Sequence, residues 1–141
     1  MKNEMKRLGK IIALMLLVVA AAVAAVGCGV KYASHFSATL LVTSNDSNSA
    51  KMHFGSFKGT KVFKVKVKDE DSVIRYSGEL ETGSITVYYD TDGTKEEWFT
   101  LQAGEPVEGT LDSLSKGKCY IIVETDGKCK DGKLSFEVEK P

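Results

Sequence analysis

From Lys61 to Glu139, apolar side chains return at almost every second position, and that period limits the chain more than any other feature of it. "KVFKVKVK" sets Phe63, Val65 and Val67 on one face and Lys64, Lys66 and Lys68 on the other. "VIRYSGEL" sets Ile74, Tyr76 and Leu80 against Arg75, Ser77 and Glu79, and "KLSFEVE" sets Leu134, Phe136 and Val138 against Ser135, Glu137 and Glu139. "SITVYYD" aligns Ile85, Val87 and Tyr89, "CYIIVE" aligns Ile121 and Val123, and "EEWFTLQ" places Trp98 opposite Phe99 and Leu101. A period of two is that of a strand with one buried face, and nothing after residue 31 keeps a helical period over three turns. The runs are separated by "DED", "ETG", "DTDG", "QAGEP", "SKGK", "TDGK" and "KDGK", which carry turn chemistry. The expectation is an all-β fold, an antiparallel β-sandwich over residues 50–141, with Asp126-Gly127 at the tip of a tight hairpin. Its core should contain Phe63, Val65, Ile74, Ile85, Val87, Ile121, Val123, Phe136 and Val138.

Ahead of that domain, "YASHFSATLLVT" (Tyr32–Thr43) reads as a first strand or an extended lead-in. "SNDSNS" (Ser44–Ser49) has the side chains that bond to nearby backbone instead of continuing a ladder, and reads as a turn or the boundary of the domain. Residues 28–49 are therefore expected to be a linker or first strand.

The first ten residues carry Lys2, Lys6, Arg7 and Lys10 against Glu4, and Ile11–Val26 follow without a charged or polar side chain. This is the layout of a secretory signal, with small residues gathering in "AAVAAVG" where a processing site needs them. The uncharged stretch from Ile11 to Val30 is also just long enough for a retained transmembrane anchor, for which about 20 residues suffice. "AVGC" (Ala25–Cys28) resembles the bacterial lipobox, with Gly27 and Cys28 matching well and Ala25 standing where Leu is commoner. That resemblance implies cleavage after Gly27, a signal peptide of residues 1–27, and lipidation of Cys28. Each buried acyl CH₂ contributes about 0.8 kcal/mol, so two or three chains hold a protein for long periods. The basic n-region stays on the cytoplasmic side. The expected location is extracytoplasmic, anchored to the bacterial cell membrane through Cys28.

Removal of residues 1–27 takes four of the 19 basic residues and one of the 19 acids, leaving 15 against 18 and a net charge of −3. Nothing there favours phosphate neutralisation, so nucleic acid is not an expected partner. The arrangement of "ITVYYDTDG", "LSKGKCYIIVET" and "DGKLSFEVE" resembles that of small secreted bacterial β-sandwich domains of jelly-roll type, some of them lipoproteins. The resemblance implies a fold and a compartment and transfers no site.

Candidate sites are few. "DTDG" (Asp90–Gly93) resembles the start of a calcium loop, but Lys95 stands where the loop's Gly belongs and no Glu stands at its twelfth position, so a turn is expected and no metal. Cys119 and Cys129 remain as an even pair once Cys28 is assigned, a possible disulfide. In the expected hairpin Cys129 would face Glu124, leaving the two sulfurs too far apart to bond. His35 and His53 have no nucleophile motif beside them, and no cofactor is implied. The lysine row from Lys58 to Lys68 suits either an anionic polymer or the protection of a strand edge. Trp98, Tyr88 and Tyr120 suit either a sugar platform or packing. The leading functional expectation is a non-catalytic module that binds an envelope protein or polymer. Its surface would be one sheet face or the turns at Asp90–Thr94 and Asp126–Lys133. The alternatives are a small enzyme or thiol protein using Cys119 or Cys129, and a carbohydrate-binding module using exposed aromatics.

Overall fold

The computed structural model describes residues 32–140, and the signal, lipobox and Cys28 lie outside them. Nine strands follow one another: β1 (His35–Thr39), β2 (Val42–Asn45), β3 (Ser49–Val67), β4 (Val73–Thr82), β5 (Ser84–Asp90), β6 (Glu96–Gln102), β7 (Val107–Leu111), β8 (Gly117–Thr125) and β9 (Cys129–Glu139). They pair antiparallel throughout, in the order β6-β5-β8-β3-β9-β4-β7, with β1 and β2 on β3.

The 19 residues of β3 explain that order. Its first half pairs with β9, from Ser49↔Glu137 to Phe57↔Cys129, and its second half pairs with β8, from Thr60↔Glu124 to Val67↔Gly117. β8 and β9 therefore run in one direction along one side of β3. The expected hairpin at Asp126-Gly127 is not formed: the residues between Thr125 and Cys129 are extra length in a strand that continues past them. Asp131-Gly132, also read as a turn, lies inside β9. β4 and β5 behave in the same way, β4 pairing with β9 and β5 with β8. Three long strands thus fold over together, giving one layer of β2, the first half of β3, β9, β4 and β7. The second half of β3, with β8, β5 and β6, makes the other.

The crease is visible in the side-chain pattern. Along β3 the buried positions are Ala50, Met52 and Phe54 before the bend and Phe57, Phe63, Val65 and Val67 after it, so the inward face changes from even to odd numbers. β9 changes in the same place, between Cys129 and Leu134, where Asp131 has φ 50°. Leu40, with φ 52°, breaks the neighbouring strand between β1 and β2. A left-handed residue turns the chain through the angle that an extended strand would need an added residue to make. Gly132 serves close packing at this crease, since a Cβ there would stand 2.5 Å from Phe54 Cζ.

Between the layers lies one core containing Phe54, Phe57, Phe63, Ile74, Ile85, Leu101, Ile121 and Phe136, each at most 1% exposed. Eight of the nine expected core residues are buried, and Val138 is half-buried at its margin. Trp98 corrects the face assignment of β6. The register shifts so that Val87 pairs with Phe99 and Tyr88 with Glu97, leaving Trp98 as a bulged residue. Bulging lets consecutive residues share a face. Trp98 stands 5.0 Å from Tyr76 and 5.4 Å from Phe136, while Phe99 stacks on Tyr76 at 4.6 Å.

Residues 44–49 are the end of β2 and a hairpin turn into β3. Asp46 Oδ1 accepts from the backbone N–H groups of Asn48 and Ser49, both at 2.8 Å. Asn45 completes the edge of β3 by accepting from Lys64 N–H and donating to Lys64 C=O. The compact unit begins at Ala33, so the Ser/Asn-rich stretch lies within it.

Candidate ligand-binding groove

The outer face of the β2-β3-β9-β4-β7 layer is built from the residues that alternate with the core. Register aligns them in rows. Ser44, Lys51, Ser135, Ser77 and Glu108 lie side by side across five strands. The next row is Val42, His53, Lys133 and Glu79. Together these rows line an open groove of about 610 Å³. Gly78 lies beneath it with no room for a side chain on the core side: a Cβ there would meet Leu134 Cδ2 at 2.7 Å.

Charge is divided across the groove. Lys51 and His53 stand on β3, Glu108 on β7, and Lys133 and Glu79 form a 3.1 Å ion pair between them. With three serines in the same row, the face offers hydrogen-bond donors and acceptors in a plane, spaced at the ~4.8 Å of neighbouring strands. Period two marked Ser77, Glu79 and Ser135 as outward in the sequence. His53, Lys51 and Glu108 were missed as members of the same surface because only strand order brings them there.

The other expected surfaces come apart. Tyr88 and Tyr120 share the outer face of the second layer, with Tyr88 opposite Ile122 and Tyr120 opposite Lys64. Trp98 is half-buried and packs against the core through Tyr76 and Phe136, so the three do not form one platform. Lys95 lies over the Tyr88 ring at 4.2 Å and pairs with Glu124 at 3.0 Å. Ile122 is 1% exposed although it belongs to this outer face. Among the lysines of the expected row, Lys64 and Lys66 stand where the edge of β3 is closed by Asn45 and by the Ser47 carbonyl. The two turn clusters lie at opposite ends of β5, because Asp126 N–H donates to Ser84 C=O at its start and Asp90 closes its end. At that far end Asp90 Oδ1 accepts from Gly93 N–H at 2.7 Å and Asp92 Oδ1 from Thr94 N–H at 3.0 Å, which makes a hydrogen-bonded turn. No group of three or more His, Cys, Asp or Glu among the described residues is placed to hold a metal.

Cys119 and Cys129 are free thiols with no exposed surface. Cys119 pairs with Val65 and Cys129 with Phe57, so eight residues of β3 separate them, about 27 Å at strand spacing. Glu124, the expected neighbour of Cys129, pairs instead with Thr60 and Thr86. The separation comes from a continuous strand and not from a hairpin. Burial pushes the Cys119 thiol up to about 12, helped by the nearby Asp90 carboxylate. Burial also raises Cys129, whose Sγ donates to Ser84 C=O at 3.4 Å. Held protonated and out of water, neither thiol is placed as a nucleophile, which counts against the thiol-protein alternative. His35 and His53 lie on β1 and β3, and neither stands opposite a cysteine in register.

No family model matches the sequence, and no curated protein matches it. Among solved structures, the chain is similar to the carbohydrate-binding module TmCBM61 in complex with β-1,4-galactotriose, at 14% identity over 82% of this chain and 94% of that one, with a TM-score of 0.45. It is similar to PliG of Aeromonas hydrophila, a periplasmic inhibitor of g-type lysozyme, at 16% identity over 66% and 88%, with a TM-score of 0.46. It is also similar to a carbohydrate-binding module of Cellvibrio mixtus lichenase 5A in complex with cellotriose, at 16% identity over 76% and 90%, with a TM-score of 0.43.

Proposed function

We propose that this chain is a lipoprotein anchored outside the bacterial cell membrane through Cys28, and that its β domain is a non-catalytic module binding a hydroxyl-rich envelope polymer. The observation that carries the binding reading is the row Ser44, Lys51, Ser135, Ser77 and Glu108 across five strands. A flat file of hydroxyl, ammonium and carboxylate groups suits an extended ligand with many hydroxyls, each accepting and donating weakly. Such contacts contribute little singly and add along the length of a polymer. The groove is open to solvent, and its small polar groups sit on strands whose other face packs in the core. The anchor reading rests on "AVGC" and the charge and length of the segment before it.

Two measurements test the halves of this reading separately. Intact-mass analysis of the membrane-associated protein is expected to give a chain beginning at Cys28 and carrying acyl mass; an unacylated chain removes the anchor. Co-sedimentation with isolated envelope polysaccharide is expected to retain the full chain and to lose the Ser135→Trp variant, whose indole fills the middle of the groove while pointing away from the core. Equal retention of the two would move the ligand to another face.

A further inference from the structure

Lysines on a strand commonly protect a free edge from pairing. Lys64 and Lys66 have no such task, because the β2-β3 hairpin already covers the edge of β3 beside them: Asn45 bonds to both backbone groups of Lys64, and Ser47 C=O accepts from Lys66 N–H at 2.8 Å. Their side chains stand exposed on the outer face of the second layer, and so does Lys118, directly opposite Lys66 on β8. Like charges facing one another across two strands are destabilising. None of the ion pairs among the described residues relieves these three. The nearby acids are engaged elsewhere. Glu124 is paired with Lys95, Asp90 is buried and accepts from Gly93 N–H, and Glu97 stands three strands away on β6. Asp69, Glu70 and Asp71 belong to the loop that leads over to β4 in the other layer, with Lys116 and Lys140 among them.

The start of the domain shows what such a cluster meets. Ser34 Oγ accepts from Val62 N–H at 2.9 Å, and Val62 stands one step before Lys64 on the same face. Cys28 precedes Ser34 by six residues, a reach of about 20 Å in extended chain. An anchor at Cys28 therefore keeps the row of Val62 within that distance of the headgroups, and the lysines are its neighbours. We infer that Lys64, Lys66 and Lys118 form a surface that docks on anionic phospholipid headgroups beside the anchor. Phosphate groups relieve the repulsion between Lys66 and Lys118, and the acyl chains supply the lasting hold that three surface charges alone do not. The groove lies on the outer face of the other layer, so docking in this way turns it away from the membrane and toward the envelope. The inference takes its geometry from the anchor proposed at Cys28 and is independent of the groove's ligand.

Acetylation by a water-soluble reagent, read lysine by lysine by mass spectrometry, tests it on the full membrane-associated chain reconstituted in vesicles. On phosphatidylcholine mixed with phosphatidylglycerol, Lys64, Lys66 and Lys118 are expected to react several-fold more slowly than on phosphatidylcholine alone. Lys58, Lys128 and Lys130, exposed near the crease, should keep their rates. Salt at about 1 M, where the screening length is about 3 Å, should restore the three slowed rates. The double variant Lys66→Gln, Lys118→Gln should lose the protection of Lys64 on the same vesicles. Its thermal midpoint should be no lower than the parent's, since both side chains are exposed and repel one another. Retention on phosphatidylcholine alone reads the anchor, because the lysines meet no net charge there. A chain that washes off those vesicles and is still protected on the anionic ones would remove the anchor and keep the surface. Equal rates on the two vesicles, equal slowing of Lys58, Lys128 and Lys130, protection of Lys64 that survives the double variant, or protection by soluble dextran sulfate with none by vesicles would overturn it.

Discussion

Cys119 and Asp46 are two titrating residues whose protonation the fold sets in opposite directions. The buried thiol of Cys119 is raised to about 12 from an ordinary 9.0, so the folded state holds its proton more tightly than the unfolded chain does. Its contribution is intact below pH 9 and is lost as pH rises from there toward 12, so the thermal midpoint should fall over that interval. Cys119→Val should flatten the fall. Asp46 is the reverse case: the N–H groups of Asn48 and Ser49 hold its carboxyl below the usual 3.8. Its contribution is present above that value and fades as pH drops below it. Asp46→Ala should therefore loosen the β2-β3 hairpin at neutral pH, seen as faster amide exchange at Asn48 and Ser49. Thiol labelling gives a further check: Cys119 and Cys129 should both resist reagent in the native protein and both react in denaturant.

At the scale of elements, Phe136 joins the two layers. It contacts Phe63 at 6.5 Å from the second half of β3, and Trp98 and Phe99 from β6. Phe136→Ala should cost about 3–5 kcal/mol by chemical denaturation, the range for a buried aromatic with neighbours too rigid to refill the space. Alternation was enough to find the strands and their inward faces, as Phe63, Ile85 and Phe136 show. It failed where the backbone adds or turns a residue. Trp98 and Phe99 share a face because of a register shift that local sequence does not mark. "TDGK" and "KDGK" have the composition of hairpin turns, yet the first adds length between β8 and β9 and the second lies within β9 at the crease. Asp-Gly supplies left-handed backbone, and tertiary packing decides whether that freedom reverses the strand or folds a whole sheet. The groove was half legible for the same reason, since outward residues can be read from period two and their neighbours across the sheet only from strand order.

For the whole molecule, one folded sheet separates labour between its faces. The inner face holds the core, the outer face of the second layer buries Ile122 beside Tyr88 and Tyr120, and the outer face of the first layer is left open as the polar groove. The β1-β2 edge borders that groove through Val42. Amide chemical-shift mapping during titration with fragments of the envelope polysaccharide tests this division most directly. The expected perturbations follow the two rows, at Ser44, Lys51, His53, Ser77, Glu79, Glu108, Lys133 and Ser135. Perturbations gathered instead at Tyr88, Tyr120 and the Asp90–Thr94 turn would contradict the assignment of the ligand to the groove.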